Sequence, residues 1–292
     1  MEKVILSAHI YSGLGDFYAN ICSMYNAGLM LLDYGVDVTL HFNTTYSSNY
    51  HTKPFLVSDF IKLDDLKIKY EQNKPEILND LYLLDEIHVN TERRFSCYSD
   101  SNSPSFSGIT FPIFGCILKH WDRKDFRPPD LSESVKEVAY NWIDLKNINH
   151  LVGIQWRVYD HFLTSEEGMQ ELKKRKDEII NYNSKVKEKY PNNKIFLGSI
   201  SEYVRGVSKE HFPEFIIPTF SNPNLKYYYC NTGYEAHDNL MSHMREIFAE
   251  MYIFSYCSKI FNPGSGWTSN FLFYSNCHDK TQVEWHEKFR HR

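Results

Sequence analysis

Between residues 4 and 40 the chain passes through a short apolar run, a double-glycine turn, an amphipathic stretch and a β-branched run, and this order limits the fold more than any other feature. Val4 to Ala8 is the apolar run, and Ser12-Gly13-Leu14-Gly15-Asp16 closes it. From Phe17 to Leu32, the residues Ile21, Met24, Tyr25, Leu29 and Leu32 recur at helical spacing. Gly35 ends that helix, and Val36-Asp37-Val38-Thr39-Leu40 alternates as a strand does. Two strands joined through a helix run parallel, because a tight hairpin reverses the chain instead. The opening therefore predicts an α/β chain on a parallel sheet.

The alternation continues and then restarts. A third strand is expected at Leu83 to Val89, followed by a Ser-, Asn- and Tyr-rich loop from Asn90 to Ser107. The pattern breaks at Arg127-Pro128-Pro129-Asp130, and a helix follows from about Ser132 to Leu145. Leu151 to Trp156 reads as a buried strand, Glu166 to Lys189 as one long charged helix and Lys194 to Gly198 as a strand. A polar loop from Tyr227 to His237 precedes an apolar helix from Leu240 to Tyr256 and a strand at Lys259-Ile260-Phe261. Asn262 to Gly266 is a loop, Trp267 to Tyr274 a helix, and Thr281 to Arg292 a terminal helix. At 292 residues the chain is near the length at which one core divides into two. The expected organisation is two Rossmann-like domains, 1–131 and 132–280, facing a central cleft, with 281–292 as a C-terminal helix.

Composition removes several classes. With 42% hydrophobic and 24% charged residues the chain is globular, not disordered. A formal charge of −5 argues against a general nucleic-acid binder, which needs surplus Lys and Arg. Cys22, Cys97, Cys116, Cys230, Cys257 and Cys277 form no CxxC pair, against a zinc site and a disulfide scaffold. The N-terminal apolar run is too short to span a membrane and leads into a glycine turn rather than a cleavage site. The expected setting is the cytoplasm of a bacterium, or of a host if the chain is viral or from a phage.

Four strand ends carry residues suited to a phosphorylated ligand. Gly13 and Gly15 let the backbone approach a ligand before a helix N-terminus, and Asp16 is either a helix cap or a general base. GxGxxG is not completed, since position 18 is Tyr. Gln155-Trp156-Arg157-Val158-Tyr159-Asp160 leaves a strand at its carboxyl end, where α/β sheets bind ligands. Arg157 there offers a planar fork to a pyrophosphate, or forms a surface pair with Asp160. Ser199 and Ser201 follow another strand and either meet a base or ribose or cap a helix. Gly264, Ser265, Gly266 and Thr268 lie at a further strand-to-helix junction, either meeting phosphate oxygens or forming a plain loop with Ser265 as a cap. Glu235 and His237 could contact the donor but read better as ordinary polar loop residues, and His161 is either in the site or an ordinary surface His. Asp64-Asp65 sits in a charged, helix-like stretch rather than beside a strand, so metal-independent chemistry without a cofactor is expected.

Gln155-x-Arg157-x-Tyr159-Asp160 resembles the H-x-R-x-G-D motif of the fucosyltransferase superfamily, which includes the α1,2-, α1,6- and protein O-fucosyltransferases. The Ser199/Ser201 strand end is similar to that superfamily's second motif, and Glu246 through Ser265 to its third. The resemblance spans about residues 140 to 275 and implies a GT-B fold, a GDP-linked donor such as GDP-fucose, inversion at the anomeric carbon and no metal. It casts Arg157 as the diphosphate ligand that assists the leaving group. Gln155 stands where the motif has His, and Tyr159 where it has Gly, so the sugar side of the pocket differs and another nucleotide sugar remains open as donor. The N-terminal Gly-Leu-Gly-Asp is also similar to the start of bacterial heptosyltransferases, which implies Asp16 as the base. The acceptor is a hydroxyl of a glycan, of a lipid-linked saccharide, or of a modified base in phage or viral DNA. Two alternatives stay open: a non-catalytic nucleotide-sugar-binding protein, and another two-domain Rossmann-like enzyme acting on sugar nucleotides.

Overall fold

The computed structural model describes residues 3–9, 35, 37–43, 55–73, 92–96, 105–106, 109–110, 129–146, 148, 150–156, 158, 162, 165–221, 237–262 and 283–285, with helical residues 18, 21–22, 24–25, 28–29 and 32–33. Two compact units emerge, Met1–Ser132 with Tyr229–His237, and Glu133–Tyr228 with Asp238–Arg292.

The first unit is built on a parallel sheet of β1 (Lys3–His9), β2 (Asp37–Asn43), β3 (Lys69–Gln72) and β4 (Glu92–Ser96), in the order β3-β2-β1-β4. A helical stretch within 18–33 connects β1 to β2, and its Tyr18, Ile21, Cys22 and Met24 are fully buried. It lies close to its neighbours: a Cβ on Gly28 would come 2.5 Å from Ile68 Cδ1 and 3.1 Å from Leu40 Cδ2. Gly35 ends the helix at φ +75°, donating its N–H to Leu32 O at 2.9 Å, a conformation open to glycine at little cost. The unit's last residues are stitched to its middle, since Ile61 bridges Leu131 and Ser132 donates to Phe60 O and Asp59 O.

One expectation fails here. The composition of Asn90 to Ser107 predicts a loop, but Glu92–Ser96 is β4, paired with β1 from Lys3↔Glu92 to Ser7↔Ser96, and Ser105–Phe106 pairs antiparallel with Ile109–Thr110 (β5 and β6). Glu-Arg-Arg-Phe-Ser lacks an apolar alternation, so the ladder hydrogen bonds and not hydrophobic pattern define it. The strand expected at Leu83 to Val89 lies outside the described residues.

The second unit holds α1 (Glu133–Trp142), β7 (Leu151–Trp156), α2 (Glu166–Lys174), α3 (Lys176–Lys189), β8 (Lys194–Ser199), α4 (Glu202–His211), α5 (His237–Phe254), β9 (Lys259–Asn262) and β10 (Val283–Trp285). The strands are parallel in the order β10-β9-β7-β8. Val152, Ile154 and Trp156 of β7, with Ile195 and Leu197 of β8, share one core with Leu172, Ile179, Val186, Val204 and Val207 of α2, α3 and α4. The opposite face meets α5. There Phe254 is fully buried and packs edge-on against Phe196 at 5.1 Å, and Gly153 and Gly198 leave room for its ring. Helices thus cover both faces, as a buried parallel sheet requires.

Two further corrections concern this unit. The expected single helix from Glu166 to Lys189 breaks at Arg175, whose φ of −91° and ψ of 14° end α2, with its N–H on Leu172 O. The tail read as a terminal helix contains β10, which pairs with β9 from Val283↔Ile260 to Trp285↔Asn262. Val283 and Trp285 are good strand formers, and an open edge at β9 supplies backbone partners that helical spacing cannot reveal. Among the described residues no helix is long and apolar enough to cross a membrane.

Candidate functional site

Parallel sheets place ligands outside the carboxyl ends of their strands, at the point where the strand order reverses. In the second unit that point lies between β7 and β9: the chain goes from β7 to β8 on one side, then returns past β7 to β9 on the other. The stretch starting at residue 157 leaves the end of β7, and the stretch starting at 263 leaves the end of β9. In the first unit the equivalent point lies between β1 and β4, and the stretch with Gly13, Gly15 and Asp16 follows β1. Residues 13, 15, 16, 157, 159, 160, 264–266 and 268 themselves lie outside the described residues, as do His161 and Glu235.

Three of the expected site residues are described. Gln155 is 5% exposed and pairs across the ladder with Gly198, one residue before the end of β7. Ser199 and Ser201, expected to offer hydroxyls to a base or ribose, are 2% and 1% exposed. Ser199 Oγ donates to Trp156 O at 2.8 Å and accepts from Ser201 N at 3.2 Å. Ser201 caps α4, its hydroxyl accepting from Val204 N at 3.4 Å. Both hydroxyls build the strand-to-helix turn here, and the capping alternative describes Ser201 correctly.

Around that turn lies a buried charged group that sequence reasoning missed. Glu250 of α5 accepts from Ser199 N at 3.1 Å through Oε1, and Arg205 of α4 donates from Nη1 to Ser199 O at 2.6 Å. The Arg205 guanidinium also lies 4.3 Å from the Phe220 ring centroid, and Phe220 stacks on Trp142 at 5.7 Å and 12°. Glu246, one turn before Glu250, accepts from Ser221 N at 2.6 Å, and its Oε2 lies 3.8 Å from His243 Nδ1. That oxygen has no hydrogen-bond partner among the described residues. Burial pushes the Glu250 carboxyl up to about 8, with Glu246 adding to the rise and Arg205 and the Ser199 N–H opposing it. Burial also draws the Arg205 guanidinium down, while Glu250, Glu202 and Glu246 hold it up.

A signal for these residues existed. Glu246 and Glu250 stand four apart in a helix whose Met244, Ile247, Phe248, Met251 and Phe254 are all buried, so no face was left to solvate them. Arg205 sits between Val204 and Val207 on the buried stripe of α4. A second polar chain ties the end of β7 down: Trp156 Nε1 donates to Asn183 Oδ1 at 3.0 Å, and Asn183 Nδ2 donates to Ser208 Oγ at 2.9 Å. The Asp64-Asp65 pair is spent locally, Asp64 accepting from Tyr70 OH and Asp65 pairing with Lys62.

No protein-family model and no curated protein matches the chain by sequence. Solved structures do match its fold. The NodZ α-1,6-fucosyltransferase soaked with GDP-fucose aligns over 94% of this chain and 93% of its own, with a TM-score of 0.54 at 14% identity. Fucosyltransferase NodZ from Bradyrhizobium aligns over 93% and 92%, with a TM-score of 0.55 at 13% identity. The fold is that of the GT-B glycosyltransferases. Arabidopsis thaliana FUT1 in complex with GDP shares it over 94% of this chain and 68% of its own, with a TM-score of 0.51 at 10% identity. At these identities the GT-B likeness concerns the fold.

Proposed function

We propose that the protein transfers a sugar from a nucleoside-diphosphate donor, GDP-fucose or a close relative, to a hydroxyl acceptor. The observation that carries the reading is the exit of the 157 and 263 stretches from neighbouring strand ends where the sheet order reverses. Those stretches contain a guanidinium, two glycines and two hydroxyls, groups that neutralise and bond a diphosphate. The fold neighbours crystallised with GDP and GDP-fucose support the same donor class.

In this reading the C-terminal unit holds the donor. Arg157, with Asp160 beside it, and the loop of Gly264, Ser265, Gly266 and Thr268 bind the diphosphate, whose negative charge grows as the glycosidic bond breaks. Gln155, Ser199 and Ser201 shape the strand ends beneath it. Gly13 and Gly15 are assigned to the donor, and Asp16 to removal of the acceptor hydroxyl's proton. Attack from the face opposite the leaving diphosphate inverts the anomeric carbon, and no metal is required. A glycan or lipid-linked saccharide is the default acceptor, with a modified DNA base as the second.

The test is turnover. With a panel of nucleotide sugars, release of GDP from GDP-fucose or a related donor is expected, unaffected by EDTA and lost in Arg157→Ala. Asp16→Asn is expected to bind donor and fail in transfer. Thermal stabilisation by GDP without turnover of any donor would instead make the chain a nucleotide-sugar-binding protein.

A further inference from the structure

We propose that Arg205 and Glu250 are positioning residues for the donor site, holding between them both backbone polar groups of Ser199 and, through its hydroxyl, the carbonyl of Trp156. This rests on the donor reading above.

The bonds form one connected path. Arg205 Nη1 donates to Ser199 O at 2.6 Å, and Ser199 N donates to Glu250 Oε1 at 3.1 Å. Ser199 Oγ donates to Trp156 O at 2.8 Å. That carbonyl belongs to the planar peptide unit that joins Trp156 to the next residue of the chain, so holding it holds the last peptide plane of β7. The Trp156 ring is held separately by Asn183. Two helices on opposite faces of the sheet, α4 and α5, therefore meet at one strand-end residue.

Arg205, 7% exposed, gives up hydration for its place, and Glu250, 2% exposed and pushed up to about 8 by burial, holds its proton below that pH. What apolar side chains cannot do is orient a peptide group, and the planar guanidinium is suited to that task. The groups facing Glu250 are Arg205 from α4, Glu246 from its own helix and the Ser199 N–H from β8. The carboxylate also lies against β8, where a Cβ on Gly198 would come 3.1 Å from its Oε2.

The experiment titrates GDP calorimetrically into the full-length wild type, Arg205→Lys, Arg157→Ala and the double variant Arg205→Met/Glu250→Leu, with melting temperatures in parallel. The double variant leaves the buried Ser199 N–H and carbonyl without their side-chain partners, so it is expected to melt lower and to weaken GDP binding on the order of tenfold, the cost of a slightly displaced binding group. Arg205→Lys, which keeps the buried charge but loses the fork, is expected to weaken GDP in the same direction. GDP binding that falls in Arg157→Ala but is unchanged in the double variant and in Arg205→Lys overturns the positioning role alone. A wild type that binds no GDP overturns the donor reading, and the positioning role with it.

Discussion

Replacing Gly198 by alanine places a methyl group where α5 rests on the sheet. The added Cβ would lie 2.7 Å from Phe254 Cε2, 2.9 Å from Cζ and 3.1 Å from Glu250 Oε2. Carbon atoms rest at about 3.5–4.0 Å, so the ring must withdraw by about 0.8 Å. It has little freedom to do so, being fully buried and packed against Phe196. Overpacking of this kind costs about 1–3 kcal/mol, and the proximity of a carboxylate oxygen favours the upper half of that range. Trimming the obstacle should relieve it. Phe254→Leu alone leaves a partial void, but in the presence of Gly198→Ala the smaller side chain makes room for the methyl. The double variant should then be more stable than the sum of the singles by about 1 kcal/mol or more, the size of coupling that contacting residues show. Urea unfolding followed by tryptophan fluorescence gives all four values. A Gly198→Ala cost within about 0.5 kcal/mol of zero, the range of surface substitutions, together with additivity, would refute this packing.

Three other outcomes follow from the geometry. Glu250 is raised from 4.5 to about 8 by folding, so the native state binds a proton more tightly than the unfolded chain. Its contribution is full below pH 4.5, declines as pH rises toward 8 and is flat above, so Glu250→Gln should flatten the stability-pH curve in that window, as read from urea midpoints. Asn183→Leu leaves the Trp156 Nε1–H and the Ser208 hydroxyl without their buried partner and should cost about 2–4 kcal/mol, checked by the shift in melting temperature. Cys22 and Cys257 are buried thiols pushed up by burial, so mass-resolved alkylation should leave both unmodified in the native protein and label both in urea.

The strands that could be read from the sequence were those whose side chains carry the signal. Leu151 to Trp156 is buried at every position, and a run that is apolar but for Gln155 is what a central parallel strand looks like. Gly35 was legible because helix termination there needs a positive φ. β4 was not, because Glu92, Arg93 and Arg94 carry no alternation and the strand is defined by its ladder with β1. The break at Arg175 was hidden by good helix formers on either side. At the candidate site, the strand ends were legible from polar residues following apolar runs. The bonding of Ser199 was not, because a hydroxyl bound to a backbone carbonyl 43 residues away leaves no local trace, whereas the Ser201 cap was one of two readings its place before a helix allowed. Arg205 and Glu250 come together only when α4 and α5 pack on the same strand end.

The central claim is that the sheet end of the second unit binds a nucleoside diphosphate through the guanidinium at position 157. Calorimetric titration of GDP into the wild type and Arg157→Ala tests it most directly. A charge-assisted contact is worth about 1.5–3 kcal/mol, so the variant should bind GDP at least about tenfold more weakly while melting at the same temperature. Equal affinities in the two proteins would contradict the account.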